Sequence, residues 1–201
     1  MPKGGWMDYD GVIFDMDGTI VEPLLDFALI RSELGIAPRQ GILEAIQAMP
    51  TGIREGAERR LLEHELSAAR RVRLLPGARR TIRAVRMAGL KAALLTRNAR
   101  APMEMVIDRF GLEFDLAWSR EDGPIKPEPH GVLRACQALA IAPHRMVCVG
   151  DFHYDILAAN AAGAVSVLLS RGERPPYADQ ARYVIGELTQ LPALLGMENP
   201  K

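Results

Sequence analysis

Gly11-Val12-Ile13-Phe14-Asp15-Met16-Asp17-Gly18-Thr19 joins a strand pattern to a pair of acids and a turn. Residues 12–14 are apolar throughout, as in a short strand buried on both faces. They run into two carboxylates spaced i, i+2 and then an Asp-Gly-Thr turn signal. In an extended chain, residues two apart point the same way, so Asp15 and Asp17 face one pocket beyond the strand's end. Two carboxylates side by side repel each other unless a cation or a shared proton offsets the charge. A plain strand ending in a polar turn would carry the same residues, so three later segments give this one its meaning.

After Thr19 the pattern turns helical. Leu24, Phe27, Ala28 and Leu34 share a face that Gly35 closes. A second helix is predicted from Pro38, carrying Ile42, Ala45, Ile46 and Met49 until Pro50 and Gly52 break it. A third places Ile53, Ala57, Leu61, Ala68 and Val72 on one stripe. No strand pattern interrupts residues 22–75, which read as a small all-helical domain inserted into an α/β core of residues 1–21 and 76–201. From Pro76 onward, helices (residues 77–87, 102–109, 132–140, 154–162 and 188–195) alternate with apolar strands (residues 90–95, 114–118, 146–149, 165–169 and 183–185). Such alternation implies right-handed crossovers and a Rossmann-like parallel sheet with helices on both faces.

In sheets of this kind ligands bind beyond the carboxyl ends of the strands. Polar groups collect at three of those ends: Asp15 and Asp17, then Thr96, Arg97 and Asn98, then Asp151. Asp155 lies one helical turn past Asp151, and Lys126 sits in Lys126-Pro127-Glu128-Pro129, whose prolines restrict the backbone. Hard oxygen donors with few nitrogen or sulfur ligands favour magnesium over zinc. Lys126 would balance phosphate charge, and Thr96 could donate a hydrogen bond to a phosphoryl oxygen. One aspartate can attack phosphorus to form an aspartyl-phosphate while a second handles the leaving group's proton.

These four segments, in this order over about residues 10–170, resemble the four motifs of the haloacid dehalogenase superfamily of phosphohydrolases, and within it the phosphoglycolate phosphatase-like branch. The resemblance implies Asp15 as nucleophile and magnesium ligand, and Asp17 as acid/base whose backbone carbonyl also meets the metal. Thr96 and Lys126 would hold the transferred phosphoryl group, Lys126 restraining Asp15 as well. Asp151 would ligate magnesium, with Asp155 a direct or water-mediated second carboxylate, and Gly18 would let backbone N–H groups approach the phosphate. Haloalkanoate dehalogenases of the superfamily lack the second acid, so Asp17 points to phosphoryl chemistry. The helical insertion stands where the superfamily places its first type of cap, which closes over the site and reads the substrate. The expected activity is magnesium-dependent hydrolysis of a small-metabolite phosphate monoester. A phosphomutase and a non-catalytic binding module on the same scaffold are the other readings these residues allow.

Other residues have simpler readings beside the functional one. Asp155 could serve a helix dipole and Asn98 could cap a helix, Arg97 and Asn98 being candidates for phosphate contact. His64, His130 and His153 read as surface or partly buried groups rather than metal ligands, and Trp6 and Trp118 as packing groups. The arginines of residues 54–73 read as a solvated face paired with Glu55, Glu58, Glu63 and Glu65, with Arg54 alone placed to reach an acidic substrate. Lys+Arg and Asp+Glu each total 25 in 201 residues, so bulk charge gives no reason to expect nucleic acid or anionic membrane as a partner. No apolar run approaches the roughly 18 residues of a membrane span, and residues 1–6 lack the apolar core of a signal peptide. A cytoplasmic location is expected, with Cys136 and Cys148 as small core residues.

Overall fold

Four buried residues, Gly11–Phe14, form β1 in the middle of a six-stranded sheet. The computed structural model describes residues 9–197, so the readings made for Trp6 and residues 1–6 lie outside the described residues. The remaining strands are β2 (Lys91–Leu95), β3 (Leu116–Trp118), β4 (Met146–Gly150), β5 (Val165–Leu169) and β6 (Tyr183–Ile185). All pair in parallel, in the order β3-β2-β1-β4-β5-β6. Parallel neighbours need long crossovers, and α4 (Ala78–Met87), α5 (Arg100–Phe110), α6 (His130–Ala138) and α7 (His153–Ala161) supply them, with α8 (Leu191–Leu194) after β6. The α/β parallel sheet expected from the alternation is present.

Alternation across the pleat sorts the core into two layers. Val12, Phe14, Leu94 and Val149 pack on one face with Ile82, Val85, Met103 and Leu191. Ile13, Ala93, Leu95 and Cys148 pack on the other with Val132, Cys136 and Ala158. Both cysteines are free and buried, as expected. Trp118 packs against the second layer and lies under the Arg134 guanidinium, 4.9 Å from the ring centre.

Between β1 and β2 the chain forms α1 (Phe27–Leu34), α2 (Ile42–Gln47) and α3 (Thr51–Arg71). Ile30, Ile42, Ile46, Ala57 and Leu61 make a separate apolar cluster, while Ala69 and Val72 beyond it join the core of the sheet. Exit and return run side by side: Glu22 N–H donates to Arg73 O at 3.0 Å, and Leu75 N–H to Ile20 O at 2.8 Å.

Three helix boundaries differ from expectation. α1 starts at Phe27 because Asp26 caps it, its carboxylate accepting Leu29 N–H at 2.9 Å. α2 starts at Ile42 rather than Pro38, because Arg39 takes a left-handed backbone, φ 69°, that no right-handed helix can include. The last helix divides into a 3₁₀ turn, Leu188–Gln190, and the single turn of α8, where Pro192 has no N–H to donate.

Candidate active site

Register brings three strand ends level. Phe14 pairs with both Leu94 and Val149, so the residues that follow β1, β2 and β4 open on one rim. Asp15 N–H donates to Val149 O at 2.9 Å, and Met16 turns inward between two carboxylates that stay partly exposed. β1 and β4 are neighbours without being consecutive, and at that reversal of strand order a crevice forms. It is a cleft of about 400 Å³, and every predicted site residue except Gly18 lines it: Asp15, Asp17, Thr96, Arg97, Asn98, Lys126, Asp151 and Asp155.

Lys126 stands at the centre. Its Nζ donates to Asp15 Oδ1 and Asp155 Oδ1, both at 2.6 Å, and to Leu95 O at 2.8 Å. An ammonium has three protons, so all its donors are engaged. Burial alone would pull Lys126 below its ordinary pKa, but Asp15 and Asp155 outweigh it and hold the group above. Burial raises Asp15 to about 7, with Lys126 opposing and Asp155 and Asp151 adding to the rise. Burial and then the charge of Asp15 raise Asp17 to about 7, against a hydrogen bond from Asn98. Burial and Asp155 raise Asp151 to about 6, with Arg171 opposing.

Carboxylate oxygens of Asp15, Asp151 and Asp155 lie within 4.8 Å of one another. Three oxygen donors around one ammonium leave surplus negative charge in a secluded pocket, and such a donor set fits magnesium. The Asp17 carboxylate is outside that set; it accepts a hydrogen bond from Asn98 Nδ2 at 2.7 Å. Asn98 therefore does not cap α5, whose N-cap is Ala99. Thr96 Oγ1 accepts Asn98 N–H at 3.1 Å, which fixes the turn carrying both.

Gly18 and Arg54 stand elsewhere than the residues suggested. Gly18 is set back from the cleft, and its N–H donates to Val21 O at 2.7 Å. Glycine is needed there because φ is 79° and a Cβ would fall 2.0 Å from Asp151 Oδ2, so Gly18 admits the Asp151 carboxylate to the rim. Arg97 is engaged by Glu44 of α2 at 2.7 Å, by Lys126 O and by the Tyr154 ring, tying the rim to the helical insertion. Arg54 does not line the cleft; its guanidinium donates to Met49 O at 3.0 Å. His64 bonds Glu33 at 2.7 Å, His153 bonds Gln180 and stacks on Tyr177, and His130 opens α6, none of them in the carboxylate cluster.

Two residues at the site went unrecognised. Glu65, grouped above with solvated partners, is 3% exposed, lines the cleft, pairs with Arg120 and accepts Ala99 N–H at 3.2 Å. Its position four residues after Leu61 and three before Ala68 puts it on the buried stripe, a signal visible in the sequence. Arg171 Nη2 bonds Asp151 Oδ2 at 2.9 Å from the turn after β5; its place at another carboxyl strand end was the available clue.

Known proteins resemble this chain in sequence and in fold. A family model for haloacid dehalogenase-like hydrolases matches residues 9–163. An uncharacterized hydrolase of Saccharomyces cerevisiae is 33% identical over 165 residues, covering 79% of this chain and 76% of its own. A phosphoglycolate phosphatase of Nitrosospira multiformis is 30% identical over 181 residues, covering 76% of this chain and 79% of its own. The crystal structure of a HAD phosphatase from Thermococcus onnurineus superposes with a TM-score of 0.72 at 25% identity, over 96% of this chain and all of that one. With four motifs meeting at one rim of the sheet and the family's sequence pattern running from before β1 to the end of α7, the chain belongs to the haloacid dehalogenase-like hydrolases.

Proposed function

We propose that the protein is a magnesium-dependent phosphatase of small-molecule phosphate monoesters, working through an aspartyl-phosphate on Asp15. The observation that carries this reading is the division of labour between the two acids of Asp15-Met16-Asp17. Asp15 is held by the Lys126 ammonium beside two further carboxylates, whereas Asp17 stands apart on Asn98. The similarity to a phosphoglycolate phosphatase supports phosphate monoesters as the substrate class.

In this mechanism an Asp15 oxygen attacks phosphorus as the ester P–O bond breaks. Asp17, raised to about 7, carries a proton in about half of the molecules at neutral pH and in that form delivers it to the departing oxygen. Water then attacks the aspartyl-phosphate, Asp17 takes a water proton, and inorganic phosphate leaves with Asp15 restored. Lys126 and the Thr96 hydroxyl bind the phosphoryl oxygens, Lys126 balancing charge where burial makes that charge costly. Asp15, Asp151 and Asp155, with the backbone carbonyl of Asp17, would hold magnesium, which when bound neutralises phosphate charge and positions the ester.

Residues 22–75 would act as the cap, moving about the paired segments at residues 20–22 and 73–75 and closing the cleft to water. Purified protein should release phosphate from p-nitrophenyl phosphate only with magnesium, and trap acid-stable label from a phosphoryl donor at Asp15. Absence of turnover with magnesium across a panel of metabolite phosphates would overturn the proposal.

A further inference from the structure

The rim accounts for a phosphoryl group, and the rest of the cleft faces the helices between β1 and β2. Four cations line it: Arg31, Arg39, Arg97 and Lys126. Lys126 has all three protons engaged, and Arg97 is taken by Glu44, by Lys126 O and by the Tyr154 ring. Arg31 donates from Nε to Gln40 O at 2.8 Å and from Nη1 to Phe27 O at 3.1 Å. Arg39 differs. Among the described residues its guanidinium has no hydrogen-bond or ion-pair partner, and the residue is exposed. Its backbone sits at φ 69°, a conformation that costs energy for any residue with a Cβ. The bond from Arg31 to Gln40 O braces the turn that holds it there.

The cleft that this cation shares with the carboxylate rim also has apolar walls. Leu25, Phe27 and Leu43 stand on the side of the insertion, and Phe152 and Tyr154 on the side of α7. Phe27 is 48% exposed and Phe152 52%, so each ring keeps open surface, although Phe152 meets the Tyr154 ring edge-on at 5.0 Å. A phosphoryl group fills only a small part of about 400 Å³.

We infer that the leaving group is a ring-sized apolar body carrying an anionic group, a carboxylate or a second phosphate, which pairs with Arg39. This inference rests on the phosphatase reading above and narrows its substrate class. The ring covers Phe27 and Phe152 and removes their surface from water. A guanidinium pairs with either anion through two parallel N–H donors, and partial burial under the ligand strengthens the pair. A two-carbon ester would leave the apolar walls uncovered.

Four esters test this with magnesium: 4-carboxyphenyl phosphate, 1,4-phenylene bisphosphate, phenyl phosphate and 2-phosphoglycolate. The better of the two charged rings should exceed both phenyl phosphate and 2-phosphoglycolate in kcat/KM by about tenfold, and which one wins tells carboxylate from phosphate. In Arg39→Ala the ratio of charged to neutral ring should collapse toward one, the loss falling on KM. Arg39→Lys should restore part of the ratio. Arg39→Gly should lose it while raising the Tm, since glycine takes φ 69° without strain. A ratio unchanged in Arg39→Ala, or 2-phosphoglycolate as the best of the four, overturns the inference. Calorimetric binding of 4-carboxyphenylphosphonate and 1,4-phenylenebisphosphonate against phenylphosphonate separates it from the parent reading. If no ester is hydrolysed but a charged phosphonate binds about tenfold more tightly and depends on Arg39, the cleft is assigned correctly and only the phosphatase reading falls. Binding of phenylphosphonate equal to that of both 4-carboxyphenylphosphonate and 1,4-phenylenebisphosphonate overturns the inference itself.

Discussion

Lys126 Nζ lies 2.6 Å from Asp15 Oδ1, joining residues 111 positions apart in the chain. The contact restrains the carboxylate proposed to attack phosphorus and supplies charge where the phosphoryl oxygens would lie. Asp15→Asn keeps the shape and removes the nucleophile. Phosphate release from p-nitrophenyl phosphate should fall by at least about a thousandfold, with far-UV circular dichroism and cooperative melting retained. Turnover within tenfold of wild type would remove Asp15 from the role.

Asn98 supports the ionised form of Asp17 through its 2.7 Å hydrogen bond. Without that bond the Asp17 carboxyl moves further upward, because the opposing influence on its raised pKa is gone. Asn98→Ala should therefore shift the alkaline limb of kcat/KM to higher pH and lower kcat by about tenfold through lost positioning. An alkaline limb that stays in place would separate Asn98 from the acid/base group.

The site also sets how stability follows pH. Asp15 and Asp17 are raised to about 7 and Asp151 to about 6 in the fold, against about 3.9 in the unfolded chain. Between those limits the folded state binds more protons, so stability is fullest near the unfolded pKa and falls as pH climbs through the folded values. On the proposed reading magnesium would bind the ionised set and should restore stability at the alkaline end. The Tm of chelator-treated protein should drop from about pH 5 to about pH 8, with a magnesium-induced rise that is small at the lower pH and several degrees at the upper. Equal magnesium shifts at both would contradict the carboxylate assignment.

Glu65 and Arg120 form an ion pair from which water is nearly excluded, with side chains 3% and 16% exposed. It fastens α3 to the segment after β3, and the Ala99 N–H bond fastens α3 to the turn after β2. Arg120→Ala strands a buried carboxylate whose burial already raises its pKa, and should cost about 3 kcal/mol in urea denaturation. Converting both residues to uncharged partners, Glu65→Gln with Arg120→Gln, should cost clearly less than the two single changes summed. Strict additivity would show that the pair is not coupled.

Much of this arrangement could be read along the chain. Residues 11–19 combine a strand buried on both faces with acids two apart, and period alone decides that both acids emerge on one side. The alternation after Pro76 gave the parallel sheet and so the common rim for Asp15, Thr96 and Asp151. Asn98 shows where reading stopped. An asparagine before a helix is compatible with capping, and only the position of Asp17 after the neighbouring strand turns its amide to the proposed acid/base group. Arg54 shows the converse, since its guanidinium is taken by Met49 O, a contact five residues away that composition does not reveal.

What the amino-acid sequence by itself determined is the layering: which residues form strands, which faces are apolar, and which strand ends carry acids, lysine and threonine. Those follow from local period and turn chemistry, which act over a few residues. What only the tertiary structure decided is the pairing of charges. Glu65 went to Arg120 rather than to a helix neighbour, Arg171 reached Asp151, and Arg39 has no partner among the described residues on the cleft wall. A long charged side chain has many partners within its reach. Which one it takes depends on distances set by packing between distant segments and on how much water that packing excludes.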